Sequence, residues 1–385
     1  MKPDDFVNSN AGRCLRAPGG YWTFVPDPLP PPIEYDNNLV LLLSRADQSV
    51  GQLAGTGRIL PNPHLLVGPY VRREAVLSSR IEGTQASLND LFLFEAASKP
   101  RSATSDVREV FNYVQALEYG LSRLKELPLS LRLVTETHKL LMRGVRGSRA
   151  RPGEFRRSQN WIGSPGCKLE EATYIPPDII QMNSVLSDWE RYLHSPSKEP
   201  PLIQCALMHY HFEAIHPFLD GNGRIGRLLI TLFLCERGIL PQPLLYLSAF
   251  FERFRDEYYR SLLNVSQKGA WTEWISFFLR GVDHQATDAF KTAEQILDLQ
   301  ARYRQKLQRK KAPKAALAIL EDLFRNPFVY AVGASKKWNV NYRTALTAIM
   351  RMVEAGILQE VTGRKRNRLF CCTELLNLIE PRESS

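Results

Sequence analysis

Twelve consecutive residues, His216 to Arg227 (HPFLDGNGRIGR), hold the groups that proton transfer beside a polyphosphate would need. Pro217 disfavours helical geometry at His216, so the helix carrying Tyr210, Phe212 and Ile215 is predicted to end there and deliver His216 to the mouth of a loop. Gly221 and Gly223 flank Asn222, which allows positive φ and a concavity of backbone N–H groups. The next helix is predicted to start at about Arg224, with its unpaired donors facing that concavity. Such a concavity suits phosphate. Arg224 and Arg227, three residues apart, fall on neighbouring parts of one helix face and add two permanent positive charges. Asp220 offers a hard oxygen ligand, and magnesium is commonly held by one carboxylate plus substrate phosphates. With an ordinary pKa near 6.5, His216 is the one base able to take a proton from an incoming hydroxyl. A histidine before proline, or a GNG turn, is ordinary when met alone; the concentration of all these groups in one short segment is what points to chemistry.

Far upstream, SSRIEG places Ser78 and Glu82 four residues apart on one helix face, followed by Gly83, which can end or bend the helix. By itself this reads equally well as a solvated charge at a helix end. His209 and His211 lie close to His216, but their two-residue spacing puts them on different helix faces with no acidic companion, so they read as packing or hydrogen-bonding residues.

The elements that must position these groups are mostly helical. In 105 to 125 the set Val107, Val110, Phe111, Val114, Leu117, Leu121, Leu124 makes one apolar stripe, and similar stripes run through 131–143, 179–193, 202–215, 224–236 and 249–264. The first thirty-odd residues, with VPDPLPPPI, read as an extended arm. In RPGEFRRSQNWIGSPGCKLEEATYIPP, two short segments, Asn160 to Gly163 and Ala172 to Ile175, flank a Ser-Pro-Gly turn and predict a β-hairpin. After the basic stretch ending near Lys314, helices at about 314–325, 333–338 and 341–355 and the strand–turn–strand ILQEVTGRKRNRLFCC predict a winged helix-turn-helix; a generic small α/β appendage is the alternative.

The chain has 385 residues, enough for two or three domains, and 44% of them are hydrophobic. Residues 1–300 hold 33 Lys and Arg against 33 Asp and Glu, whereas 301–385 hold 17 against 7, so the whole net charge of +10 belongs to the tail. Its run Arg364, Lys365, Arg366, Arg368 falls at the predicted wing, where DNA contact competes with docking of a protein or of another subunit. No apolar run approaches the ~20 residues of a membrane-spanning helix, the acidic, polar start MKPDDFVNSN predicts a soluble protein made without a signal peptide, and six scattered cysteines fit a reducing cytoplasm.

HPFLDGNGRIGR resembles the signature of the Fic family, HxFx[DE]GNGRxxR, at every specified position. The likeness extends to RPGEFRRSQNWIG and ATYIPP, which are similar to that family's flap hairpin. It implies a mainly α fold in three parts: an N-terminal arm and inhibitory-helix region (1–100), a Fic-type helical domain with its hairpin flap (101–300), and the winged helix-turn-helix domain (312–385). It also implies a protein adenylyltransferase that moves AMP from ATP, with Mg2+, onto a Tyr, Thr or Ser hydroxyl of a target protein or of itself. In that reading His216 is the base and Phe218 anchors the loop. Asp220 holds magnesium, Gly221, Asn222 and Gly223 grip phosphate oxygens, and Arg224 and Arg227 hold the β- and γ-phosphates. SSRIEG resembles the family's inhibitory motif, [ST]xxxE[GN], which implies that Glu82 pairs with Arg227 where the γ-phosphate must go. Two rivals remain: a Fic enzyme that removes AMP, with Glu82 positioning a water, and a winged-helix DNA-binding regulator that keeps the Fic fold as a nucleotide sensor.

Overall fold

A computed structural model of the chain describes residues 1–59, 64–96, 104–145, 151–310, 312–364 and 368–380. The molecule is mainly α, as the periodicity predicts. After a 3-10 turn at Pro3–Phe6 comes a hairpin, β1 (Gly12–Arg16) and antiparallel β2 (Trp22–Pro26), and then the helices α1 (Asn37–Ile59), α2 (His64–Ile81), α3 (Leu88–Ala96), α4 (Ser105–Arg123), α5 (Leu131–Leu141), α6 (Ile179–His194), α7 (Pro201–Ile215), α8 (Asn222–Glu236), α9 (Ser248–Arg253), α10 (Arg255–Lys268) and α11 (Trp271–Arg309). The hairpin corrects the expectation of an extended arm. The proline-rich run begins only at Val25, and the turn Pro18-Gly19-Gly20 upstream closes a ladder from Gly12 to Pro26.

Side-chain caps set several helix starts. Thr104 accepts from the Val107 N–H, Ser130 from Leu133, and Asp178 from both Ile180 and Gln181. The stripe read through 249–264 is two helices, because the backbone leaves helical geometry at Phe254 (φ −111°, ψ 41°). In α7, thirteen of fifteen residues are buried, which makes it the central rod of the core. It packs on α6, α8, α10 and α11, while the 39-residue α11 lies along α1. Helix α2 is inserted between α4, α8 and α9, with Ala75, Ser78, Ser79 and Ile81 fully covered.

Beyond α11 the order is α12 (Lys314–Leu323), β3 (Phe328–Tyr330), α13 (Ala331–Lys337), α14 (Tyr342–Glu354), β4 (Gln359–Glu360), β5 (Leu369–Cys371) and α15 (Thr373–Ile379). The three strands form an antiparallel sheet in the order β3-β5-β4. Gly356 stops α14 at φ 68°. Lys365 and Arg366 of the basic run lie outside the described residues; Arg364 and Arg368 flank them. Helix α15 returns to the body of the molecule against α11 and α2, where the Tyr303 hydroxyl donates to Glu374 at 2.7 Å.

Candidate active site

Helix α7 ends at His216, which takes the left-handed conformation (φ 48°, ψ 59°) that Pro217 leaves open to it. A non-glycine residue pays for positive φ, so neighbours must hold the turn. They do so on several sides. Arg156 donates its Nε to the His216 carbonyl (3.1 Å) and its backbone N–H to Pro217 (2.9 Å). Asn160 Nδ2 donates to the carbonyls of His216 (3.1 Å) and Phe218 (2.8 Å). Phe218 is fully buried, and the His138 ring lies flat on it at 3.7 Å. His138 Nε2 donates to the Asp220 carbonyl (3.0 Å), while its Nδ1 accepts from the Gly153 N–H (2.9 Å), so one neutral tautomer satisfies both ring nitrogens. Burial holds its pKa near 4.

The same reasoning fixes the proton on His216. Its Nδ1 lies 3.3 Å from the Glu213 carbonyl, which can only accept, so Nδ1 carries hydrogen and Nε2 keeps the lone pair. Burial pushes its pKa down to about 4, so the ring is a neutral acceptor at neutral pH.

Gly221, at φ 83°, caps α8, which starts at Asn222, two residues before the predicted start. Asn222 accepts from the Phe218 N–H and donates to the Phe218 carbonyl, both at 2.8 Å. Its amide therefore closes the loop on itself, and the backbone of the first turn is what faces outward. A Cβ at Gly221 would stand 3.0 Å from Met142 Sδ; one at Gly223 would stand 2.3 Å from Glu82 Oε1.

The two arginines, expected side by side, diverge. The Arg227 side chain is 1% exposed and turns toward α2: Nε donates to Ser78 Oγ (2.9 Å), and Nη2 to the Ser78 carbonyl (2.9 Å) and to Glu82 Oε1 (2.7 Å). Arg224, also buried, turns the other way, with Nη1 3.6 Å from Glu109 Oε2 and Nη2 3.4 Å from Asp220 Oδ1. Asp220 keeps 44% of its side chain exposed. Glu82, 35% exposed, is pulled upward in pKa by desolvation, but the charge and hydrogen bond of Arg227 outweigh this and hold it below the usual range. Arg227 is driven higher in turn.

A cleft of about 590 Å3 joins these groups: His216, Gly223, Arg227, Glu82 and Glu213 line one side, and Trp161, Tyr174 and Tyr259 lie among its other walls. The wall at 160–175 was expected as a hairpin. It is a loop held by one antiparallel bridge, Ile162 to Tyr174, with a 3-10 turn at Leu169–Glu171. The hairpin β1–β2 backs it, since the Phe24 N–H donates to the Ile175 carbonyl (2.8 Å), and Tyr174 is fixed to the Ala214 carbonyl (2.9 Å).

His209 is fully buried between the Gly226 carbonyl (3.1 Å) and the Tyr258 hydroxyl (2.8 Å), and His211 reaches the Asp27 carbonyl (3.0 Å), so both serve as packing and hydrogen-bonding residues. The sequence reading missed the supports Arg156, Asn160 and His138, and it missed Glu213. Burial raises the Glu213 pKa to about 7, with Arg227 pulling it down. Its signal was its place one turn before His216.

The model of the Fic/DOC family matches residues 128–234, and that of the Fic/DOC family N-terminal region matches 40–122. Over 136 residues, or 34% of this chain, the sequence is 32% identical to the protein adenylyltransferase Fic of Drosophila erecta and 30% identical to that of Drosophila melanogaster. The match spans about a quarter of the length of those relatives (25%). In fold, the chain is similar to a Fic family protein from Desulfovibrio desulfuricans G20, with a TM-score of 0.56 at 18% identity, covering 89% of this chain and 98% of that one.

Proposed function

Because this chain belongs to the Fic/DOC family over residues 40–122 and 128–234, we propose that it transfers AMP from ATP to a hydroxyl side chain of a protein. The observation that carries the proposal is the neutral His216, its Nε2 unprotonated, lining the same cleft as Gly223 and Arg227. In the reaction His216 Nε2 takes the proton of the incoming hydroxyl. The hydroxyl oxygen bonds to the α-phosphorus, the bond to the β-phosphate oxygen breaks, and pyrophosphate leaves. The first turn of α8 meets phosphate oxygens, Arg227 holds the terminal phosphate, and Arg224 adds its charge from the side of Asp220.

Asp220 suits Mg2+: its carboxylate is nearly half exposed and its contact with the Arg224 side chain is long at 3.4 Å, which leaves a hard anionic oxygen for a cation. Magnesium would offset phosphate charge there. The target is a Tyr, Thr or Ser hydroxyl, on another protein or on the chain itself.

Glu82 is the brake. Its carboxylate already satisfies the Arg227 Nη2 that a γ-phosphate would use, so ATP can be held only in an unproductive pose until Glu82 leaves. Intact-mass analysis of the chain with ATP, Mg2+ and a hydroxyl-bearing protein, with and without Glu82, tests this; no AMP adduct in either would overturn it.

A second reading concerns residues 312–385, taken as a winged helix-turn-helix. Tyr342, Arg343 and Arg351 are exposed on α14, in the part of the chain that holds all the excess positive charge, which favours duplex DNA. Titration with duplex DNA at two salt concentrations tests it, and salt-independent or absent binding would favour a protein partner or a second copy.

A further inference from the structure

The contacts around Arg227 divide unequally between the two residues of SSRIEG. Glu82 supplies one, to Nη2. Ser78 supplies two, from Nε to its hydroxyl and from Nη2 to its carbonyl, each 2.9 Å long. Glu82 keeps 35% of its side chain exposed, whereas Ser78 is fully buried and the Arg227 side chain is 1% exposed. The two partners therefore differ in what they can do. A half-wet carboxylate on the turn after α2 can swing into water. Ser78, fully buried in the last turn of α2, cannot follow it.

The helix itself is pinned at this level. Glu74, one turn before Ser78, is 2% exposed; it receives the Ser248 hydroxyl from the start of α9 (2.5 Å) and the Tyr113 hydroxyl from α4 (3.2 Å). When Glu82 leaves, α2 stays, and Arg227 still has its Nε and one Nη2 bond made to Ser78. These bonds fix the plane of the guanidinium. Its Nη1, 2.9 Å from where a Gly223 Cβ would be, stays at the first turn of α8, and the Nη2 hydrogen that Glu82 held is freed.

We propose that Ser78 is a positioning residue for catalysis as well as part of the brake, holding Arg227 in the orientation that receives the terminal phosphate once Glu82 has left. This rests on the adenylyltransferase reading and deepens it. Without the Ser78 hydroxyl, the buried Nε loses its acceptor and the guanidinium gains rotational freedom that the phosphate must then remove.

The test is made where the brake is absent. In the Glu82→Gly chain, adding Ser78→Ala is expected to lower AMP transfer at subsaturating ATP roughly tenfold, the size of one charge-assisted hydrogen bond. In Glu82→Gly/Arg227→Ala, the same Ser78→Ala should change little, because the group it acts through has gone. Ser78→Thr keeps an acceptor and should recover most of the loss. Cooperative thermal unfolding of every variant guards against misfolding. Transfer by Glu82→Gly/Ser78→Ala equal to that of Glu82→Gly would confine Ser78 to the brake. An equal loss with and without Arg227 would make its effect merely structural. An inactive Glu82→Gly chain, by contrast, would overturn the underlying function and not this assignment.

Discussion

The proton on His216 sits on Nδ1 because the Glu213 carbonyl accepts it, and this backbone contact leaves Nε2 as a base. Burial then keeps the ring neutral down to about pH 4. His216→Ala is expected to fold, bind nucleotide and lose AMP transfer by roughly 10² to 10⁴, the usual range for a positioned general base. For the same reason, lowering the pH from 8 to 6 should not slow transfer through protonation of His216. A pH–rate profile with a limb near the ordinary histidine value of about 6.5 that persists in Glu213→Gln, where the neighbouring carboxyl near 7 is gone, would place the base elsewhere. The residues of HPFLDGNGRIGR were legible as a set because their types are rare together. Their individual bonds were not. Asn222 reads as a phosphate ligand in the sequence, yet its amide is spent on Phe218, and the divergence of Arg224 from Arg227 depends on Glu109 and Ser78, more than a hundred residues away.

At the scale of elements, two segments meet at the loop that follows α7. The first is the wall at 155–175. Arg156, 2% exposed, bonds the carbonyls of His216 and Pro177 and so ties this wall to the loop and to the entry of α6. Arg156→Ala leaves the Pro177 carbonyl without this donor, at about 1–3 kcal/mol, and the His216 carbonyl with Asn160 alone, so the thermal midpoint should fall by a few degrees. An unchanged midpoint would mean that water replaces the guanidinium. The second is α2. Glu82→Gly removes the carboxylate from Arg227 and should raise AMP transfer more than about tenfold, given that each 1.4 kcal/mol of bias is a factor of ten in population. Activity no higher than the parent's, in an intact-mass time course with saturating ATP and Mg2+, would refute the brake; reduced activity would favour removal of AMP as the reaction. The helices themselves were readable from periodicity, α4 and α5 to within two residues. The β1–β2 hairpin was not, because GRCLR and WTFVP alternate too weakly to stand out beside the prolines that follow. The wall at 160–175 fooled the reading the other way: it carries strand-like residues and a turn, but only Ile162 and Tyr174 pair.

At the scale of the whole molecule, burial holds four of the seven histidines neutral, with pKa values near 4 for His138, His211 and His216 and near 3 for His209. A depressed histidine binds fewer protons folded than unfolded, so its stability contribution is present above about pH 6.5 and is lost as the pH falls toward 4. Glu213, raised to about 7, and Glu74, also raised by burial, run the opposite way and lose stability as the pH rises. The histidines outnumber them. Urea midpoints are therefore expected to be lower at pH 5.5 than at pH 7.5, and equal midpoints would mean that the histidines titrate as in free peptide. This too was beyond the sequence, which shows seven histidines but not which helices cover them.

The turn after α2 is short and tethered. Glu82 is followed at once by Gly83 at φ 91°, then by Thr84 and Gln85, whose hydroxyl and N–H are tied to Glu109 (3.1 Å) and Asp106 (2.8 Å) of α4. On the proposed reading, release of the brake is thus the swing of one side chain over a fixed turn, a motion of nanoseconds to microseconds, while enzymes commonly turn over 1 to 10³ times per second. The carboxylate leaves and returns many times within a single catalytic cycle. Such a protein has no memory: its progress curves start without a lag, and its resting leak measures directly the fraction of time the carboxylate is away.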